Sequence, residues 1–467
     1  MSSMFKKIFS LLIINAIVAT LLVGVFNPFS ATGESSYSIM YYDWDIVVPD
    51  NYPTIQEAID HSSDGYRIFV RSGIYKGRIL INKKNLLIQG ENKFTTIIDG
   101  ERLTKDAVIN VSASNVTIQG FTVQNGWCKE EIYWDASGIK VFSSNVTIRD
   151  NVISFNRLGI TVATDVTNLT VADNTFIDDG FLPGCYVYNG KLSKDDFLYE
   201  VSNNTVNGKH LYYYKNMHDF TVPKDAGQII LANCTNVTIR DVYISHTDFS
   251  IVLGFCSNCL IENCTIAKTD GELILLNSDS NIIQNNTISY TLHGICLDFN
   301  STDNIVRYND ISNSWVGISA LTSSNNNHIY GNIIHDNAAG FLLDALIPGM
   351  KAHDNEISEN KIFNNNVGIQ LQGNSFNNII QRNNISKNKC GVLLKYSDGN
   401  VIKNNYFRRN FLFSALFMGC SQNTWEYNYW NRPRILPKII IGYRVIGKML
   451  VPWVNIDKHP LKVSPIV

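Results

Sequence analysis

The chain has 467 residues, 45% of them hydrophobic and 17% charged, with a formal net charge of −2. That balance excludes a disordered polyelectrolyte and supplies enough apolar material for a large core. No lysine- or arginine-rich run stands beside exposed aromatics, so the basic face that a nucleic-acid partner requires is missing.

Lys6 and Lys7 precede an apolar run from Ile8 to Phe26, and small residues follow at Ala31-Thr32-Gly33. A positive start, an apolar stretch and a small-residue exit define residues 1–33 as a secretory signal, with an uncleaved membrane anchor as the alternative. Either reading places the remainder outside the cytoplasm, whether secreted, periplasmic or at the cell surface. Residues 34–45 read as a linker. Residues 46–110 read as an N-terminal cap with the first coils. There Thr54 is positioned to cap a short helix with Glu57 three residues on, and Ile55, Ala58 and Ile59 give it one apolar face. Short β-rich runs follow, from Tyr66–Val70 to Thr96–Ile98.

Residues 111–432 are repetitive. An early register starts at Asn115, Asn145, Asn168, Asn236 and Asn258. From residue 281 to 428 seven pairs of asparagines recur, each pair five residues apart, from Asn281/Asn286 to Asn423/Asn428. A period of 22–23 residues with apolar residues at fixed offsets, such as Ile283 and Ile288, predicts an all-β parallel solenoid of about 12 coils. Its strands would stack about 4.8 Å apart. The asparagines are expected to form ladders, each amide bonding to its copy or to a carbonyl in the next coil. Glycine recurs 13 residues after the first asparagine, at Gly294, Gly317, Gly340, Gly368 and Gly391, where a backbone conformation that other residues avoid is expected. Residues 433–467, with Pro433, Pro437, Pro452, Pro460 and Pro465, read as an irregular C-terminal cap.

The segments Val48-Pro49, Thr54-Ile-Gln-Glu-Ala-Ile59, Gly73-Ile-Tyr75 and Leu87-Ile-Gln-Gly90, together with the Asn/Gly coils, resemble the right-handed parallel β-helix superfamily in its pectin-lyase-like form. Within it, the chain resembles the NosD-type periplasmic repeat group of carbohydrate-binding and sugar-hydrolysis (CASH) domains. The resemblance implies the right-handed fold over nearly the whole mature chain. It carries over no catalytic residue. Asp178-Asp179 and His293-Gly294 lie 115 residues apart, no Asn-Thr-Asp accompanies them, and the Asp-Pro-His motif of alginate epimerases is absent. The NosD likeness also implies copper, yet no Met-x-x-Met or His-x-His occurs. His328, His335 and His353 read as corner residues. Cys256-x-x-Cys259 and Cys264, among nine cysteines, read as small buried side chains in place of a metal site. No cofactor is therefore assigned, and neither copper nor calcium is indicated by residues.

Function is expected where the repeat is broken. One insertion follows Gly126 and contains Trp127, Glu130, Glu131, Tyr133, Trp134 and Asp135; a second, at about 178–225, contains Asp178, Asp179, Tyr186 and Tyr188. Both leave the coil at the same offset, so they are expected to share a groove in which aromatic rings stack on sugars and carboxylates meet hydroxyls. Packing of these aromatics onto the rod is the competing reading. The sequence thus points to an exported monomer that binds an extracellular polysaccharide or cell-surface polymer, touching membrane only through its N-terminal segment. A polysaccharide lyase, hydrolase or epimerase using the insertion carboxylates is one alternative, and a copper-delivery accessory protein is the other.

Overall fold

A computed structural model of the chain describes residues 44–129, 136–186, 191–344, 350–420, 422–446 and 449–462. The helix forms over Ile55–His61, with Thr54 accepting the Glu57 N–H at 3.1 Å and Ile55, Ala58 and Ile59 buried. Everything that follows is short strands, paired almost throughout in parallel from coil to coil.

The coils form two stacks with separate cores. In the N-terminal stack a seven-stranded sheet runs from Ile46–Val48 to Glu200–Ser202, and a five-stranded sheet runs from Ile79–Ile81 to Phe181–Tyr186. In the C-terminal stack two nine-stranded sheets run from Thr238–Arg240 to Thr424–Glu426 and from Tyr243–Ser245 to Tyr429–Trp430. One ladder links the stacks. It passes from Thr175–Ile177 to Thr205–Val206, reverses into the antiparallel Lys209–Lys215, and continues in parallel through Ala226–Ala232 and Ile251–Gly254. The total is about 17 turns where twelve were expected. The difference lies in coils that carry no asparagine mark: those before Val111, and the strands Phe181–Tyr186, Glu200–Ser202 and Thr205–Val206, which pair with the preceding coil although they fall within 178–225.

Three asparagine columns, not two, run through the C-terminal stack. The first passes from Asn281 to Asn423 and the second from Asn286 to Asn428, with side-chain bonds of 2.9–3.1 Å between neighbours. A third lies five residues further on, where Thr291 and Ser314 lead into Asn337, Asn365, Asn388 and Asn410. Each asparagine donates its backbone N–H and its Nδ2–H to the Oδ1 of the next coil, and a further Nδ2–H to a carbonyl of the previous coil, as Asn332 does with Asn360 and Val306. Cys259 and Cys264 stand at the head of the first two columns, where their N–H groups donate to Asn281 and Asn286. That explains their five-residue spacing, and all eight described cysteines are free and buried.

The recurrent glycines do not adopt the expected unusual conformation; Gly294, Gly317, Gly340, Gly368 and Gly391 are absent from the positive-φ positions. They permit close approach instead, since a Cβ on Gly317 would stand 2.6 Å from the Gly340 carbonyl oxygen. The left-handed corner is at the fourth residue after the first asparagine, where φ is 56° at Asn285, 57° at Tyr308 and 54° at Arg382. The C-terminal cap is also more regular than its prolines suggested. Lys438–Ile446 and Met449–Asp457 form an antiparallel hairpin. Pro452 is tolerated because its strand pairs on one side only, leaving the missing N–H at an edge.

Candidate functional site

The two stacks meet flank to flank, and the reason lies in strands that are apolar on both faces. Ala226–Ala232 is buried at every residue. Ile229 and Leu231 enter the C-terminal core, whereas Ile230 and Ala232, with Val252, Ile274 and Leu276, enter the N-terminal core. Such two-sided burial is what a parallel sheet covered on both faces requires.

Polar side chains of the C-terminal stack complete the edge of the five-stranded sheet. Gln228 accepts from the Phe181 N–H at 3.0 Å and donates to the Phe181 carbonyl at 2.8 Å, as a neighbouring strand would. Asp248 accepts the N–H groups of Gly159 and Gly180 at 2.6 and 2.9 Å, and Thr247 donates to the Asp179 carbonyl. Unpaired edge groups shut away from water are costly, so these side chains seal the junction. Asp179 lies beside Asp248 and ends a short column in the N-terminal stack, accepting the N–H and Nδ2–H of Asn156. Burial first, and then the neighbouring Asp248 charge, hold the Asp179 carboxyl well above the usual carboxylate range. Burial likewise pushes Asp248 up to about 7. Two buried carboxyls that cannot both ionise hold a proton between them. At 0% and 1% exposure they are out of reach of an external substrate, and their role is structural.

Toward the open side of the junction, Arg157 pairs with Asp270 at 3.3 Å. Next to it Glu272, His293 and Cys296 bring a carboxylate oxygen, an imidazole nitrogen and a thiol sulfur within 4.8 Å of one another, the one such group of three among the described residues. Burial pushes Glu272 up to about 8 and depresses His293 to about 4. His293 Nδ1 lies 3.1 Å from the Ser319 hydroxyl. The mixed donor set has the chemistry of a transition-metal ligand group.

The sequence-predicted residues are placed as follows. Trp127 is half-buried, with the Arg102 guanidinium 5.3 Å from its ring centre. Asp178 sits at a left-handed corner, its N–H donating to Asn207. Tyr186 ends a strand whose partner is Ala163. Glu130, Glu131, Tyr133, Trp134, Asp135 and Tyr188 lie outside the described residues. His335 and His353 stack on Phe363 and Phe376 at corners, each with Nδ1 on the adjacent aspartate.

A surface feature not read from the sequence runs along one corner of the C-terminal stack. Leu292, Trp315, Ala338, Asn366, Lys389 and Leu412 each precede a residue paired in the third sheet, so they form a row. Trp315 is 63% exposed, and Phe411 and Leu412 at the far end are 82% and 60% exposed, with exposed Asn366 and Lys389 between them. Leu292 donates its N–H to the Gly271 carbonyl, which sets the row beside Asp270 and the junction. An exposed indole with amides and charges along a straight corner can stack on flat apolar faces while satisfying hydroxyls. The signal was the residue before the repeated glycine by two, which varies in character and so looks like noise in the repeat.

Residues 64–223 and 227–346 match the model of a family described as the right handed beta helix region, and residues 343–447 match that of the periplasmic copper-binding protein NosD. Within 343–447 the described residues bring no three His, Cys, Asp or Glu side chains together, so the matched part does not itself fit a copper centre. No curated protein sequence matches significantly. Among solved structures, the chain is similar to the mannuronan C-5 epimerase AlgE6 A-module of Azotobacter vinelandii at 13% identity, covering 80% of this chain and 87% of that one, with a TM-score of 0.36. It is also similar to DFA-IIIase of Arthrobacter chlorophenolicus at 11% identity, covering 85% and 93%, TM-score 0.37. A third is the Dettilon tailspike protein at 14% identity, covering 77% and 67%, TM-score 0.32.

Proposed function

Starting from a chain that belongs to the right-handed β-helix family, we propose that it is an extracytoplasmic protein that binds an extended polymer, a polysaccharide foremost, along the side of its rod. The observation that carries this reading is the exposed row from Trp315 to Phe411, an aromatic group at each end and polar groups between, on a corner held straight by the coil register. Four coil steps of about 4.8 Å separate its ends, a span of about 19 Å that suits a polymer better than a single sugar. The aromatic and acidic stretch beginning at Trp127 belongs to the same proposal, as a contact on the N-terminal stack. The apolar N-terminal stretch after Lys6 and Lys7 and the periplasmic description of the NosD family support the extracytoplasmic setting.

The test is binding of the full chain to a panel of immobilised polysaccharides beside Trp315→Ala. Loss of one stacking contact is worth about 1 kcal/mol beyond its area, so affinity is expected to fall about five- to tenfold. Equal binding by both proteins, or binding of no polysaccharide by either, would remove the row from consideration.

A further inference from the structure

The C-terminal hairpin is far more apolar than a capping element needs to be. Twelve of the 28 exposed large hydrophobic residues lie between Ile435 and Ile456. Only the base of the hairpin joins the rod. Ile440 and Asp457 are buried there, and the ladder from the last coil reaches Gly442 and Tyr443 and stops. Beyond that point the two strands pair with each other alone, and both faces meet solvent: Ile446 is 51% exposed, Met449 69%, Leu450 49%, Trp453 43% and Val454 48%. An apolar patch of this extent on a soluble surface marks an interaction site.

Charge decides what the patch meets. Residues 432–462 hold seven Lys and Arg against one acidic residue, a net of +6; the other 32 basic and 40 acidic residues leave the rest of the chain at −8. This segregation opposes a second copy, since two such ends would repel, and Pro452 on the outer strand interrupts edge-to-edge pairing. It suits an anionic surface. Trp453 with the Arg444 guanidinium 5.3 Å from its ring, and Tyr443 one pair away, are the side chains that favour the boundary between headgroups and acyl chains. The free part of the hairpin, four pairs long, reaches about 10 Å, the depth to which interfacial elements bury.

We propose that the hairpin tip is a membrane-docking element that inserts shallowly into an anionic lipid surface, so that the rod is held by its C-terminal end. The sequence had assigned membrane contact to the N-terminal segment alone, and the two contacts are separable by experiment. The full chain and its Val445→Glu/Leu450→Glu variant, changed at a facing pair of exposed positions, are co-sedimented with phosphatidylcholine vesicles and with vesicles holding one quarter phosphatidylglycerol. The wild type is expected to bind the anionic vesicles at least tenfold better than the variant, with binding weakened by 0.5 M salt. Arg444→Gln/Lys458→Gln is expected to lose the preference for phosphatidylglycerol. Equal binding by wild type and the glutamate variant would assign the contact to the N-terminal segment and overturn the proposal. So would a dimer in solution that the glutamate variant converts to monomer without any vesicle binding.

Discussion

Asp457 is where the second asparagine column ends, and replacing it tests how the stack is held together. Every rung points its donors toward the C-terminal end, so the last rung, Asn428, has an N–H and an Nδ2–H left over. Asp457 takes both on Oδ2, at 3.1 and 3.2 Å, and the same atom accepts the Trp430 Nε1–H at 2.8 Å while Oδ1 accepts from His459 N–H. A carboxylate can end such a column because it accepts without having to donate. In Asp457→Ala, the Asn428 N–H and the Trp430 indole N–H become buried donors without partners. At about 1–3 kcal/mol for each orphaned group, the local cost is about 2–6 kcal/mol. Because each coil contacts only its neighbours, that loss should stay near the end of the rod. Hydrogen exchange is expected to show lost protection over the last two coils and the base of the hairpin, with coils around Asn332 unchanged. Asp457→Asn, which keeps one acceptor oxygen but turns an NH2 toward the His459 N–H, should fall between the two. Protection unchanged throughout, or lost uniformly along the chain, would refute the one-way ladder as the source of end stability.

Two further outcomes follow from the junction and the coil packing. Asp248, raised to about 7 by burial, stays protonated in the folded protein while its unfolded counterpart ionises near pH 4. Its contribution is therefore full below about pH 4 and is lost as pH rises through about 7. His293, depressed to about 4, works in the opposite sense, contributing above its unfolded pKa and losing that contribution as pH falls through about 4. The difference between wild type and Asp248→Asn isolates the aspartate. The melting temperature of the wild type relative to the variant should drop by on the order of a few degrees between pH 4 and 7, and parallel profiles would exclude the sealed carboxyl. Gly317→Ala would place a Cβ 2.6 Å from the Gly340 oxygen and 2.7 Å from Ile334 Cγ2, between backbone and core. A loss of about 1–3 kcal/mol in urea unfolding is expected from that overlap, and a neutral result would show that the coils can separate there.

Much of the architecture was legible without coordinates because a solenoid repeats its instructions. The Asn281/Asn286 spacing, the apolar residues at Ile283 and Ile288 and the cap at Thr54 each act within one coil or between adjacent coils, so periodicity alone exposes them. The third column escaped notice because Thr291 and Ser314 fill its first rungs, and a hydroxyl can stand for an amide there. The glycine column was found but its reason was not: φ and the approach of a carbonyl from the next coil are properties of the stack. Tertiary structure alone decided the rest. It placed Asp179 against Asp248 across 69 positions of chain and closed a sheet edge with Gln228. It also left the hairpin beyond Tyr443 without a neighbour. A repeat dictates what one coil does to the next, whereas a junction between stacks and the free end of a rod depend on where the repeat stops.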